Sequence, residues 1–279
     1  MILIVGAKGM LGQDLMRVLP GDVRGVDIEE IDITSPESVR RVLLTLRPRV
    51  VVNCAACTDV DGCETSVELA MRVNGEGVGH LAAVTREIGA LLVQVSTDYV
   101  FDGTKGSPYL EDDPVNPLSV YGKSKLLGEE RARQNPDHLI VRTQWLYGHG
   151  GKNFVETMLR LAGERKELAV VDDQIGSPTW TMDLSLAISE LIENGCRGTY
   201  HAANRGTCSW FEFAQAIFAD AGVAMIVRPQ TTEELGRPAP RPLYSVLDCE
   251  KLTHDTGLEL EGWREALGSY LERRPTGKN

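Results

Sequence analysis

A chain of 279 residues with 42% hydrophobic and 25% charged side chains has the balance of a folded protein able to bury a sizeable core, which excludes a disordered scaffold. The formal net charge of -11 is interrupted only by short basic runs such as Arg40-Arg41 and Arg273-Arg274, so nucleic acid and anionic membrane, which need a concentrated basic face, are excluded as partners. Six cysteines without disulfide spacing, no basic flank before the first apolar run and no apolar segment of membrane-spanning length point to a reduced, cytoplasmic setting.

The first element is the β-branched apolar run 2–5, long enough for a strand buried on both faces. It enters a glycine turn and then an amphipathic helix over 10–19, the opening of a parallel βαβ unit. A second strand spans 23–28, and Thr34-Ser35-Pro36-Glu37 supplies a cap, a first-turn proline and an acid for a helix that runs to about Leu46. A third strand covers 50–53, a long helix 66–88, a fourth strand 91–96, a helix 118–133 and a further strand 139–142. Such alternation predicts an α/β fold with a doubly wound parallel sheet. Past about residue 145 it weakens, and Pro178, Pro229, Pro238, Pro240 and Pro242 break short helical patterns at 154–163, 181–193 and 210–221. The expected organisation is a nucleotide-binding part over 1–147 and a smaller substrate-binding lobe over 148–279, with segments of the lobe returning to the first part.

Gly6, Gly9 and Gly12 are spaced G-x-x-G-x-x-G directly after the first strand and open the first helix. The first glycine permits the tight turn, the second lets backbone approach a pyrophosphate and the third allows close helix packing, while the helix N-terminus favours negative charge. Asp27, about fifteen residues after Gly12 at the end of the second strand, suits the adenosine ribose hydroxyls and favours NADH; Lys8 inside the turn suits a 2'-phosphate and favours NADPH. Asp32 and Ile33 are placed to meet the adenine edge and face. Asn53-Cys54-Ala55-Ala56 closes the third strand with small residues that let a cofactor lie on the backbone. Cys54, Cys57 and Cys63 lack a fourth soft ligand nearby, so they read as small apolar residues and not as a zinc site.

Tyr121 and Lys125 stand one helical turn apart on one face. An unperturbed tyrosine, with a pKa near 10, is a poor acid-base catalyst at neutral pH, and a neighbouring ammonium is expected to bring that value down. Ser96-Thr97-Asp98 ends the fourth strand upstream, where a hydroxyl can share the reacting oxygen with the phenol. On these three parts the chain resembles the extended short-chain dehydrogenase/reductases.

Within that superfamily it resembles the dTDP-4-dehydrorhamnose reductases, through Ser96 to Gly103, Pro117 to Lys125, Arg142 to Tyr147, Asn153-Phe154, Asp173 to Thr179 and Arg241-Pro242. The resemblance implies that Tyr121 is the general acid, that Lys125 orients it and holds the nicotinamide ribose, and that Thr97 contacts the sugar. It implies an NADPH or NADH site along Gly6, Gly9, Met10, Leu11, Gly12, Asp27, Asp32, Ile33, Ala55, Ala56, Cys57, Val95, Tyr121 and Lys125. It implies a dTDP-sugar contacted by Thr97, Asp98 and Trp145, with Asn153 and Arg241 added from the lobe. Two positions depart from the pattern, Lys8 in the turn and Gln144 before the tryptophan. Some members of the family form homodimers around a magnesium ion held by acidic side chains; Asp14 is the nearest match, and one aspartate assigns no metal site. The rival readings are a nucleotide-sugar dehydratase or epimerase and a non-catalytic subunit like that of methionine adenosyltransferase. Tyr99 stands where the dehydratases carry a glutamate, which argues against elimination.

Overall fold

The computed structural model describes residues 1–274. Ile2–Val5 forms β1 with every residue buried, and Met10–Val18 forms α1. Val23–Val26 is β2, shorter than expected because Asp27 to Glu30 turn on themselves through bonds from the Glu30 and Ile31 N–H groups to the Asp27 carbonyl. Pro36–Leu46 is α2, capped by the Ser35 hydroxyl as the sequence signals. Val50–Asn53 is β3.

The helix expected over 66–88 is broken. A separate α3 covers Val60–Thr65, α4 covers Val67–Met71, a π-helical turn covers Arg72–Glu76, and α5 runs Gly77–Ile88. The cause is close packing against α6, Val120–Ala132: a Cβ on Gly75 would lie 2.4 Å from Leu127, and one on Gly128 would lie 2.2 Å from the Asn74 carbonyl oxygen. Widening the helix by one residue turns Asn74 inward.

Between α5 and α6 lies β4, Leu91–Thr97, and β5 is His138–Thr143. The remaining elements are β6 (Leu146–Tyr147), α7 (Phe154–Ala162), β7 (Glu167–Val171), β8 (Ile175–Gly176), β9 (Thr179–Trp180), α8 (Thr181–Glu193), β10 (Gly198–His201), β11 (Cys208–Ser209), α9 (Trp210–Asp220), β12 (Ile226–Gln230), α10 (Thr232–Leu235), α11 (Glu250–Thr256) and α12 (Trp263–Glu272).

Six strands form one parallel sheet in the order β10-β5-β4-β3-β1-β2. The period-two alternation of strand side chains decides which helices each face recruits. Ile2, Ile4, Val52 and Val93 pack with Leu11 and Leu15 of α1 and Leu184, Ile188 and Leu191 of α8. Leu3, Val5, Val51 and Leu92 pack with Val39 and Leu43 of α2, Leu81 of α5 and Ala132 of α6. Each such buried aliphatic side chain contributes about 1.5–3 kcal/mol, which fixes the sheet as the scaffold for everything at its carboxyl edge. The fold is therefore the doubly wound α/β sheet that the alternation predicts, with the strand order reversing between β1 and β3.

The strand β10 was not anticipated. It lies beside β5 at the sheet's edge, contributed by a segment beyond α8. A third core, around Tyr147, Met158, Trp180, Phe213 and Tyr270, holds α7, β7, α9 and α12 together, while Leu252 of α11 joins the first core.

Candidate active site

At the carboxyl ends of β1 and β3 the chain builds a cradle from backbone. Gly6 adopts φ +82°, and a Cβ there would sit 2.8 Å from the Ala55 nitrogen. A Cβ on Gly12 would meet the Gly6 carbonyl oxygen at 2.4 Å and Ala7 Cα at 2.7 Å. Both contacts press the turn against β3 and α1, as expected of the first and third glycines. Gly9 is the N-cap of α1 and offers no side chain to close the helix end. The N–H groups of Met10, Leu11 and Gly12 in that first turn lie beyond the reach of intrahelical acceptors and suit an anionic ligand. Leu11 itself is buried in the core, leaving its backbone as the part available to a cofactor. Gly12→Ala is expected to cost about 1–3 kcal/mol by overpacking and to weaken NADPH binding, read by thermal unfolding and by titrating cofactor fluorescence.

The side chains around the cradle are already engaged. Asp27 accepts from the Lys8 N–H at 2.8 Å and from the Ile28 N–H at 2.9 Å, so the acid expected to meet a ribose also braces the turn. The Lys8 ammonium reaches Glu29 at 2.6 Å on the surface. Asp32 accepts from the Thr34 N–H and hydroxyl, which hold its carboxyl below the usual range. Ile33 is buried against Gly77, with its side chain in the core. Beyond β3, Asn74 ties the cofactor loop to α6: it accepts from the Cys57 N–H at 2.8 Å and donates to the Cys57 carbonyl at 3.0 Å and to Ser124 at 2.9 Å. Ala55 and Ala56 lie half-buried between them.

Tyr121 sits in the first turn of α6, where the Ser119 hydroxyl caps the helix and Glu64 accepts the Val120 N–H at 2.8 Å. The Tyr99 ring meets Tyr121 edge-on, centroids 5.4 Å apart. Burial pushes the phenol above its ordinary value, an effect the Asp98 charge reinforces and the facing Thr97 hydroxyl opposes. This reverses the shift expected from Lys125, and the physical reason is geometric. The Lys125 ammonium is engaged by the Val95 carbonyl oxygen at 2.7 Å. Lys125 is itself 4% exposed, and burial brings its pKa down to about 8.

Thr97 closes β4, its hydroxyl donating to Asp98 at 2.9 Å and accepting from the Tyr99 N–H. Asp98 is pushed up to about 6 by burial, and its Oδ2 is buried without a partner, a polar atom with capacity for a ligand. Trp145 holds the left-handed conformation at φ +48°, a strain that clusters at functional sites. Its indole stacks on Trp210 at 3.7 Å, and it fits because position 176 is glycine: a Cβ there would lie 2.5 Å from the ring.

Two expected substrate contacts from the lobe are engaged within the protein. Both ends of the Asn153 amide are occupied, accepting from the Glu156 N–H as the cap of α7 and donating to the Gly148 carbonyl at 2.8 Å. Arg241 reaches both carboxylate oxygens of Asp61 at 3.1 Å and stands beside Tyr99, whose phenol burial and the Asp98 charge push above its ordinary value despite that guanidinium. Asp61, which sequence reasoning passed over, thereby fastens the 237–241 segment over α3, also accepting from Arg237 and the Ala239 N–H. Asp14 is buried between Arg17 and Thr181, and among the described residues no cluster of three acidic, histidine or cysteine side chains stands ready for a metal. No helix among them is long and apolar enough to cross a membrane.

An anion-ready helix end, a Cβ-free cradle and a buried lysine beside it fit a dinucleotide. The comparisons with known proteins agree with that geometry. The model of the RmlD substrate binding domain matches residues 1–275. A dTDP-4-dehydrorhamnose reductase of Streptomyces griseus is 47% identical, covering 95% of this chain and 91% of its own. The spore coat polysaccharide biosynthesis protein SpsK of Bacillus subtilis is 46% identical over 98% and 97%. A dTDP-4-dehydrorhamnose reductase of Bacillus anthracis, solved in complex with NADP, superimposes with a TM-score of 0.95 at 41% identity over 97% and 98% of the two chains. This chain belongs to the RmlD substrate binding domain family.

Proposed function

We propose that the chain is an NAD(P)H-dependent reductase that converts the C4 ketone of dTDP-4-dehydro-β-L-rhamnose to the alcohol of dTDP-L-rhamnose, the last step of dTDP-rhamnose synthesis. The observation that carries this reading is the approach of the Thr97 hydroxyl at the carboxyl end of β4 to Tyr121, with Lys125 one turn on, on the sheet edge where α1 also starts without a side-chain cap. Bound NAD(P)H supplies a hydride to the ketone carbon.

The protein's own part is acid catalysis and positioning. The Tyr121 phenol gives its proton to the oxygen of the former ketone, which becomes a stronger base than phenolate as charge gathers on it. A phenol held above its ordinary value stays protonated through neutral pH and is ready for that transfer. Thr97 shares the same oxygen, Lys125 holds the nicotinamide ribose, and the Trp145 indole bounds the sugar. Tyr99 in place of a glutamate leaves no second carboxylate for elimination. The test is incubation with the keto sugar and NADPH or NADH, following loss of the reduced nicotinamide absorbance and identifying the product by NMR. No oxidation of either cofactor would sink the reading.

Lys8 and Glu29 bear on the choice between the two cofactors. Their exposed ion pair engages the ammonium that the turn would offer to an adenosine 2'-phosphate. Glu29→Gln frees Lys8 and is expected to lower the KM for NADPH by about twofold to fivefold, the scale of a surface pair, with the KM for NADH unmoved. Steady-state kinetics with the two cofactors in parallel reads this.

A further inference from the structure

The helix α6 carries a third residue in the row of Tyr121 and Lys125. Glu129 lies four residues beyond Lys125, on the same face and fully buried. Three consecutive residues of β4 meet that row: Thr97 faces Tyr121, the Val95 carbonyl takes the Lys125 ammonium at 2.7 Å, and the Ser96 hydroxyl donates to Glu129 at 2.6 Å. From β5, Arg142 grips both oxygens of the same carboxylate at 2.8 Å each, and Arg133 adds a contact at 3.2 Å. We infer that Glu129 is a positioning residue for the reaction: its buried carboxylate, fixed by Ser96 and Arg142 one turn beyond Lys125, is the counter-charge for the ammonium that the Val95 carbonyl holds on β4. This rests on the assignment of Tyr121 and Lys125 proposed above.

The groups around Lys125 leave Glu129 alone in that part. Two side chains act on the ammonium besides the burial that strips it of water, Glu129 from α6 and Cys54 from the end of β3. Burial pushes the Cys54 thiol up to about 12, so it is uncharged where an enzyme works. His201 of β10, which also faces the Arg142 and Glu129 pair, is brought down to about 3 by burial and is likewise neutral. Glu129 stays ionised because Arg142, Ser96 and Arg133 together overcome its burial. An opposite charge in a water-poor site holds a lysine protonated by about one pH unit or more.

The experiment measures the charge of Lys125 directly and through turnover. In full-length protein carrying 13Cε-lysine, the Lys125 resonance, assigned by its loss in Lys125→Met, is followed against pH beside the pH profile of kcat. In Glu129→Gln the resonance and the basic limb of kcat are expected to move toward acid by about one pH unit or more, with kcat near the wild-type value below that limb. Because Glu129→Gln strands a buried Arg142 and threatens the fold, a second variant, Glu129→Gln with Arg142→Met, removes both charges. Arg142 offsets part of the Glu129 field, so a smaller movement in the same direction is expected where both charges are removed. A resonance that titrates as in wild type in whichever variant folds, or a uniform loss of kcat with the limb unmoved, overturns the inference. Absence of turnover in the wild type would instead sink the reductase reading, and the resonance would still decide the role of Glu129.

Discussion

Tyr121→Phe is expected to lower kcat by about 10²–10⁴-fold, the contribution of a positioned proton donor, while the Kd for NADPH and the unfolding midpoint stay at wild-type values. The argument is steric and electrostatic together. Phenylalanine keeps the ring that packs edge-on against Tyr99. It removes the hydroxyl facing Thr97, whose loss leaves the developing alkoxide with a weaker donor. Cofactor affinity draws on the cradle at Gly6, Gly9 and Gly12 and on Lys125, none of which the substitution disturbs. Single-turnover absorbance with saturating cofactor isolates the chemical step, and a loss under tenfold there would assign the proton to another group, with Asp98 the nearest buried acid.

What the sequence disclosed of this machinery follows how local each signal is. The strand β1, the Ser35 cap and the cradle glycines depend on neighbours a few residues away, and they stand where the pattern of residues puts them. The row from Tyr121 to Lys125 is likewise local to one helix. The broken helix at 66–88 was legible in part: Asn74-Gly75 is a turn-forming pair inside a helical pattern, though nothing nearby shows that Gly128, more than fifty residues on, presses against it. The edge strand β10 is four residues long and begins at a glycine with φ +87°, too short for periodicity to separate from a loop. Asp61 and Arg241 pair across 180 residues, and the burial of Glu129 depends on β4 and β5 enclosing it. The opposite shift of the Tyr121 phenol has the same origin. Spacing on the helix brings Lys125 within reach, but the Val95 carbonyl, which no spacing reveals, takes the ammonium.

Arg142→Met is expected to cost about 3–5 kcal/mol, because it leaves the Glu129 carboxylate buried with its main charge partner gone. That is a large fraction of the roughly 5–15 kcal/mol by which a domain is ordinarily stable. The guanidinium is 3% exposed and also donates to the Glu111 carbonyl at 3.0 Å and lies over the Phe101 ring at 5.1 Å, so part of the loss is packing and hydrogen bonding. Urea unfolding without cofactor measures the cost, and a value under about 1 kcal/mol would show that the pair is solvated, contrary to its burial. The double change Glu129→Gln with Arg142→Met removes both ions, and buried pairs replaced in this way are often neutral for stability. Recovery of most of the lost stability in the double variant would mean that the two charges offset each other's burial and contribute little net stability to the fold. A pair of that kind, held between α6, β4 and β5, would owe its place to what its carboxylate does for the Lys125 ammonium.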